Sequence, residues 1–187
     1  VFFAGPIRAA GGTAQALAVL IADMIRRELG IDPYKPTDPE VERVKEEFGL
    51  FRGNLQYRPS PAEIEEIVRA CPIMINGEST ERIECAGYGR VRNVDDTRIR
   101  GGVLLVIGEG MCLKAPKIQK HTERLKVPGW DFISKFAAKG KEKENKGEGA
   151  FSSRRVAPIS KFMNDIIAGR PVFGAPLEAG GFRLRYG

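Results

Sequence analysis

Arg8 stands just before a pair of glycines, and this combination of residue types suits a phosphate group. Gly11 and Gly12 follow it and precede a predicted helix. Small residues ahead of a helix leave its first backbone N–H groups open to a ligand, at the end where the helix dipole is positive. A guanidinium can add a bidentate contact to the same phosphate. The glycines can instead serve only the backbone geometry of a tight turn, so both interpretations stay open.

Two further pairs of arginines lie beside glycines. Arg183 and Arg185 alternate with apolar residues, so a strand would place both on one face, where a nucleic-acid backbone could approach closely. The alternative is that they form ion pairs with carboxylates elsewhere. Arg98 and Arg100 precede a Gly-Gly pair, which can clamp a phosphate backbone or simply form a turn with basic flanks.

No complete catalytic site is visible among the motifs. The phosphate-binding loop, the nucleophile elbow and the His-Glu-x-x-His motif are all missing from the sequence. His121 is the only histidine, and its charged helical surroundings predict a surface position. Asp95 and Asp96 would point to opposite faces of a strand, whereas two-metal catalysis needs carboxylates that converge on ions about 3.5–4 Å apart. We therefore expect this pair to be a solvated turn.

The cysteines argue against zinc and against disulfides. Cys71, Cys85 and Cys112 lie far apart and form no Cys-x-x-Cys pair, so a tetrahedral zinc site is not expected. An odd number of scattered cysteines indicates reduced, buried thiols in a cytoplasmic protein. No run of residues is long and apolar enough to span a membrane, so we expect no membrane partner.

Net charge favours a polyanionic partner. The chain has 30 Lys and Arg against 24 Asp and Glu, a formal charge of +6, and the positive excess grows towards the C-terminus.

The chain begins without Met in an apolar run and stops within an alternating pattern, which favours a piece of a longer polypeptide.

The predicted helices and strands together indicate an α+β fold. Thr13 is the predicted N-cap of a helix over 14–29, which is apolar on nearly every face and is therefore expected to be buried on all sides. A capping box at Ser60 starts another helix. The remaining predicted helices cover 40–48, 61–70, 111–125, 130–138 and 158–168, and the predicted strands cover 1–7, 73–75, 82–85 and 103–107.

These elements predict four segments along the chain. A mainly helical N-terminal segment (1–70) precedes a small α+β module (71–138). A charged, flexible linker (139–150) follows, and a helix and a strand complete the chain (151–187).

Two long motifs resemble the large subunit of the archaeal D-family DNA polymerases. One is Phe-Ala-Gly-Pro-Ile-Arg with the Gly-Gly-Thr that follows, within residues 3–20, and the other is Gly-Gly-Phe-Arg-Leu-Arg-Tyr-Gly at 180–187. The stretches at 98–102 and 169–171 are similar to later parts of that subunit, in the same order. The resemblance covers essentially the whole chain.

The resemblance implies a replicative DNA polymerase that works as a heterodimer with a smaller exonuclease subunit. It also implies a catalytic aspartate pair that binds magnesium, and zinc-binding cysteine clusters, all downstream of these residues. No catalytic residue, metal or cofactor is therefore expected within this stretch. A KH-like module is expected within 71–138, although no clear Gly-x-x-Gly clamp is present, and 151–187 would lead into the polymerase core.

From the residues and the resemblance together, we expect this stretch to scaffold and position primer–template DNA. Phosphate contacts fix register without reading sequence, and the candidates are Arg8, Arg170, Arg183 and Arg185. Two alternatives remain open. One is a module for subunit docking or self-association without DNA contact, and the other is a KH-like RNA-binding module.

Overall fold

A run rich in alanine, leucine and isoleucine forms the longest helix, α1 (Gly12–Glu28), close to its predicted range. The computed structural model describes residues 1–86 and 91–137. Burial of α1 on all sides was a wrong expectation: Val19 and Leu20 face the core, whereas Ile21 and Ile25 are more than half exposed on the opposite face. The N-cap is Gly11, two residues before the predicted Thr13, and no side chain caps it.

The next two helices both begin with a capping box, of which only the one at Ser60 was predicted; the helix predicted over 40–48 starts two residues earlier and ends two residues later. In α2 (Asp38–Leu50), the backbone N–H of Thr37 donates to the carboxylate of Glu40 at 2.7 Å. In α3 (Pro61–Ala70), the backbone N–H of Ser60 donates to Glu63 at 2.8 Å, and the Ser60 hydroxyl accepts from the Glu63 N–H. These reciprocal bonds satisfy backbone groups that a helix start otherwise leaves unpaired.

The strand predicted at 103–107 is wrong, because this apolar run is the central helix. It begins as α4 (Gly101–Leu105) and continues as a π-helix (Val106–Cys112), and every residue of both is buried. A fully apolar run does not distinguish a buried strand from a buried helix, and the buried stretch is longer than a usual strand. Glycines allow neighbours to pack tightly against it: a Cβ on Gly108 would lie 2.7 Å from the Tyr57 carbonyl oxygen.

Strand structure is shorter than predicted and partly displaced. β1 (Phe2–Phe3) pairs in parallel with β2 (Asn76–Gly77), with Phe2 opposite Asn76. A 3₁₀ helix (Gly5–Ala9) follows β1. The predicted strand at 73–75 is wrong, since pairing begins one residue later, on the Asn-Gly pair that predicts a turn. At 82–85 there is only an isolated antiparallel bridge between Glu84 and Arg98.

The single helix predicted over 111–125 is two elements. Its first residues complete the π-helix, and α5 (Ala115–Leu125) starts after a turn at Leu113 and Lys114. Of the helix predicted over 130–138, residues 133–137 are helical, and residue 138 lies outside the described residues.

All four surrounding helices, α1, α2, α3 and α5, contact the central helix. The buried core extends from Phe3 to Ala137 and draws on residues from both sides of the predicted boundary at 70. The fold is therefore α+β with a predominantly helical core. The predicted segment boundaries, the KH-like module and everything proposed for 139–187 stay predictions, and 139–187 lie outside the described residues. Within the described ranges, no helix has the length and apolarity that crossing a membrane requires.

Candidate nucleic-acid interface

Arg8 is exposed at the surface but already has one partner. It lies in the 3₁₀ helix after β1, and its Nη1 donates to Oε1 of Glu81 at 2.8 Å. The Arg8 side chain keeps 43% of its surface in solvent. An exposed ion pair of this kind is worth about 0–1 kcal/mol, so a phosphate can compete for the guanidinium.

Gly12, the second glycine after Arg8, allows close packing between two helices. A Cβ on Gly12 would lie 2.4 Å from the backbone oxygen of Glu109 in the central helix. Real Cβ atoms do not approach so closely, so Gly12 is required for α1 to pack against that helix. A Cβ on Gly11 would have no atom within 4 Å, so Gly11 carries no such constraint. The structure therefore gives Gly12 a packing role within α1, which is not the tight-turn role considered from the sequence.

Three exposed cations lie on α5, for which the sequence predicted no binding site. Lys117, Lys120 and Arg124 are all exposed, whereas Ile118 and Thr122 on the same helix are buried. At 100° per residue these three cations fall within an arc of about 60°, and they extend over about 10 Å of helix. We call these three residues the basic row.

No side chain within the described residues forms an ion pair with the basic row. Glu123, the one acid on α5, instead accepts a hydrogen bond from Gln119 at 2.7 Å. Like charges at i,i+3 and i,i+4 destabilise a helix by about 0.2–0.5 kcal/mol per pair. The basic row therefore has unsatisfied positive charge that a row of phosphates would neutralise.

Contacts at both ends fix α5 beside α1. At the start, the Lys114 side chain packs against Gly12. At the other end, Nη2 of Arg27 donates to the Pro128 carbonyl at 2.7 Å, and the Trp130 indole N–H donates to Asp23 at 2.9 Å. The two helices therefore run side by side in the same direction.

Asp23 is the buried anchor of that arrangement. Burial alone raises its pKa, but hydrogen bonds from Trp130, Arg26 and Arg27 outweigh this, and the pKa lies below its usual value. Asp23 is therefore a stable carboxylate at neutral pH, and it ties α1 to the segment that follows α5.

The predicted patch at Arg98 and Arg100 is structural. Arg100 is buried and its Nε donates to Oε1 of Glu47 at 2.9 Å, while its Nη1 donates to Asn76. Arg98 pairs with Asp96 at 2.6 Å, and these hydrogen bonds hold the pKa of Asp96 well below its usual range. Both guanidinium groups are therefore engaged by carboxylates, and the Gly-Gly pair begins α4 instead of forming the turn that was the alternative to a phosphate clamp.

A cleft of about 330 Å³ beside the two-stranded sheet does not suit a phosphate. The carboxylates of Glu78, Asp95 and Asp96 line it and outnumber its arginines, Arg98 and Arg100. In the described ranges, no three His, Cys, Asp or Glu side chains are grouped so that they could hold a metal ion.

The remaining predicted residues fall into two groups. His121 lies partly exposed on α5, and Cys71, Cys85 and Cys112 are free and buried, as expected. Burial raises the pKa of Cys71 to about 12 and that of Cys85 to about 11, so neither thiol is reactive at neutral pH. The candidates Arg170, Arg183 and Arg185 lie outside the described residues.

Comparison with known proteins agrees with the motifs at both ends of the chain. Residues 1–139 match the family model described as DNA polymerase II large subunit DP2, N-terminal, and residues 142–187 match the model of its central domain. The DNA polymerase II large subunit of Methanocella arvoryzae is 53% identical over 189 residues, and that of Methanosarcina barkeri is 48% identical over 189 residues. Each alignment covers 100% of this chain and 16% of the relative.

The subunit of Archaeoglobus fulgidus is 46% identical over 189 residues, again with 100% of this chain and 16% of the relative covered. The chain thus spans about a sixth of the length of the curated relatives it matches. The N-terminal family model alone accounts for most of the chain, including every element described above. This chain belongs to the family of DNA polymerase II large subunits.

Proposed function

We propose that the chain is the N-terminal part of the large subunit of a heterodimeric archaeal replicative DNA polymerase. The whole subunit would carry out template-directed DNA synthesis, and the smaller subunit would supply the associated 3′–5′ exonuclease. The magnesium-binding catalytic carboxylates and the zinc-binding cysteines would belong to other parts of the large subunit. Family membership supports this assignment, and the chain described above would scaffold and position DNA in the cytoplasm.

The basic row on α5 is the observation that carries the DNA-positioning role. Its three cations are exposed, lie on one face of a helix and have no carboxylate partner among the described residues. Lysine and arginine in such an array neutralise successive phosphates and release counterions, which makes binding independent of base sequence and dependent on salt. Contacts of this type hold a duplex in register for an active site elsewhere.

The packing of α5 suits a rigid phosphate track. Ile118 and Thr122 are buried on its inner face, and Trp130 is held against Asp23 at the far end. The helix therefore presents the basic row from a fixed backbone, so little main-chain order has to be gained when DNA binds.

Arg8 would contribute a weaker, separate contact, because it must share its guanidinium with Glu81. Arg170, Arg183 and Arg185 would extend the track along residues 151–187 if they reach the same duplex. Their contribution rests on the alternation and glycine flanks in the sequence alone.

The test is fluorescence anisotropy of a labelled primer–template DNA titrated with the full chain. In one variant, all three residues of the basic row are changed to glutamine. In the matched control, three exposed arginines elsewhere, Arg52, Arg82 and Arg92, are changed to glutamine, so both variants lose the same charge. We expect binding to weaken at least tenfold in the row variant and less than threefold in the control.

Two results would contradict the proposal. Equal weakening in both variants would mean that net charge, and not the geometry of α5, attracts DNA. Negligible binding by the unmodified chain would leave it a structural or subunit-docking piece.

A further inference from the structure

The outer face of α1 carries a row of apolar residues that changes from small to large along the helix. At 100° per residue, five residues of α1 and its C-cap fall within an arc of about 80°: Ala14, Ala18, Ile21, Ile25 and Leu29. We call these five residues the outer row. Ala14 is exposed and Ala18 half-buried, and the three larger side chains are 53%, 54% and 67% exposed. The first half of the outer row is therefore shallow, and its second half projects into solvent.

The outer row is large enough to mark an interaction site. Met24, at its edge, is also 38% exposed. A half-exposed side chain of this size shows roughly 100 Å² to solvent, so these residues present about 400 Å² of contiguous apolar surface. Single exposed apolar side chains are common on proteins, but a patch of this area on one helical face is the kind that a partner covers.

The outer row is complementary in shape to a second copy of itself that runs in the opposite direction. A two-fold axis between Ile21 and Ala22 relates residues whose numbers add up to the same value. It places Ala14 opposite Leu29 of the second copy, and in the same register it places Ala18 opposite Ile25. Each large side chain then fills the space above a small one, at both ends of the contact. A self-complementary patch of this kind is what a two-fold symmetric interface requires.

Charge favours the same antiparallel direction. Glu28 is exposed beside the outer row and forms no ion pair within the described residues. In the antiparallel register it lies opposite the first turn of the second α1, which contains no acidic residue and whose N-cap, Gly11, has no side-chain cap. A carboxylate is stabilised near the positive end of a helix dipole. A parallel pair would instead bring the two Glu28 carboxylates together, and would set large residues against large ones.

We infer that the outer row is a homodimer interface, in which α1 packs antiparallel on α1 of a second copy of this chain. With the residues at its rim the contact buries about 1,000 Å² over both copies, which is the lower bound for a specific interface. The dimer is therefore weak, with a dissociation constant in the micromolar range. The inference rests on α1 alone and does not depend on DNA binding by the basic row.

The test is sedimentation equilibrium of the full chain over a range of concentrations up to several hundred micromolar. The interface variant carries Ile21→Glu and Ile25→Glu. The matched control carries Phe2→Glu and Ile83→Glu, which place the same two charges on exposed apolar residues outside α1. We expect a reversible monomer–dimer equilibrium for the unmodified chain, at least tenfold weaker dimerisation for the interface variant, and less than a threefold change for the control.

Two further sets of variants test the direction of the pair. Ala14→Leu and Leu29→Ala should each weaken dimerisation, the first by overpacking and the second by leaving a gap, whereas the two together should restore it, because a large residue again faces a small one. Glu28→Gln should weaken dimerisation about threefold by removing the contact with the helix N-terminus. In a parallel pair, both Ala14→Leu and Glu28→Gln would strengthen it.

Near-ultraviolet circular dichroism of Trp130 should be the same in all these proteins, because the changed side chains lie outside the core. The inference is overturned if the unmodified chain stays monomeric at every concentration, or if the interface variant and the control weaken dimerisation equally. It is also overturned if Glu28→Gln strengthens dimerisation, because the two helices would then not be antiparallel.

Discussion

Changing Glu47 to glutamine should destabilise the fold far more than the same change at any exposed glutamate. Glu47 is fully buried and is the only carboxylate that pairs with both Arg43 and Arg100 within the described part of the chain. Its Oε1 accepts from Arg43 at 2.7 Å and from Arg100 at 2.9 Å. Both arginines are themselves buried, so water cannot solvate their guanidinium groups once the carboxylate is lost.

The magnitude follows from that geometry. Removing one partner of a buried ion pair costs about 3–5 kcal/mol, because the remaining charge stays buried without compensation. The glutamine oxygen still accepts one hydrogen bond, so we expect about 3 kcal/mol, at the lower end of that range. With a urea m-value of about 2 kcal/mol/M, the unfolding midpoint should fall by about 1.5 M.

The assay is urea unfolding followed by the fluorescence of Trp130, the only tryptophan in the chain, which is 1% exposed. The control is Glu42→Gln on the same helix. Glu42 pairs with Lys45, but its side chain is 67% exposed, so its loss should cost less than about 1 kcal/mol. If the two variants shift the midpoint equally, the buried cluster does not stabilise the fold as we describe.

Three further changes have expected outcomes that urea unfolding can check. Gly12→Ala should destabilise the fold by about 1–3 kcal/mol, because its Cβ would meet a backbone oxygen at 2.4 Å. Gly49→Ala, at an exposed position of α2, should instead stabilise it by about 0.5–1 kcal/mol, and the reverse order would contradict the packing described for Gly12. Asp23→Asn should destabilise the fold at pH 7, because the ionised Asp23 carboxylate is stabilised in the native state, where its pKa is lowered. The difference in unfolding free energy between this variant and the unmodified chain should shrink as pH falls below about 4, and a difference that is constant with pH would refute this. Ser60→Ala should cost about 1 kcal/mol through loss of its capping bond, and no change would show that the bond is dispensable.

Local signals in the sequence predicted the outer helices well. The capping box at Ser60 and the apolar run after Gly12 each act within a few residues, so α1 and α3 could be placed closely. Burial depends on the whole fold and could not be inferred in the same way. The apolar composition of α1 predicted a helix covered on all sides, whereas Ile21 and Ile25 are exposed in the structure.

The central helix shows why periodicity fails inside a core. Residues 103–107 are uniformly apolar, so they carry neither a helical nor a strand period. Their β-branched residues favour a strand, but the tight approaches at Gly108 and Gly12 depend on contacts far apart in sequence. Those tertiary contacts stabilise this run as a helix and not as a strand, and they cannot be inferred from the local sequence.

The candidate site was predicted only in part for a related reason. Arginines beside glycines were candidates for phosphate binding, but Arg100 forms a buried ion pair with Glu47, a partner 53 residues away in the sequence. The basic row was detectable, because Lys117, Lys120 and Arg124 have i, i+3, i+7 spacing in a predicted helix. What the sequence could not supply is which cations remain without a carboxylate after folding.

The most direct test of the DNA-positioning role is the salt dependence of primer–template binding by the unmodified chain and by the variant with a neutral basic row. Each phosphate contact contributes about 0.9 to the slope of log K against log salt concentration, so loss of three contacts should reduce the slope by about 2.7. Parallel lines with the same slope would mean that the basic row does not touch DNA, and would contradict the account.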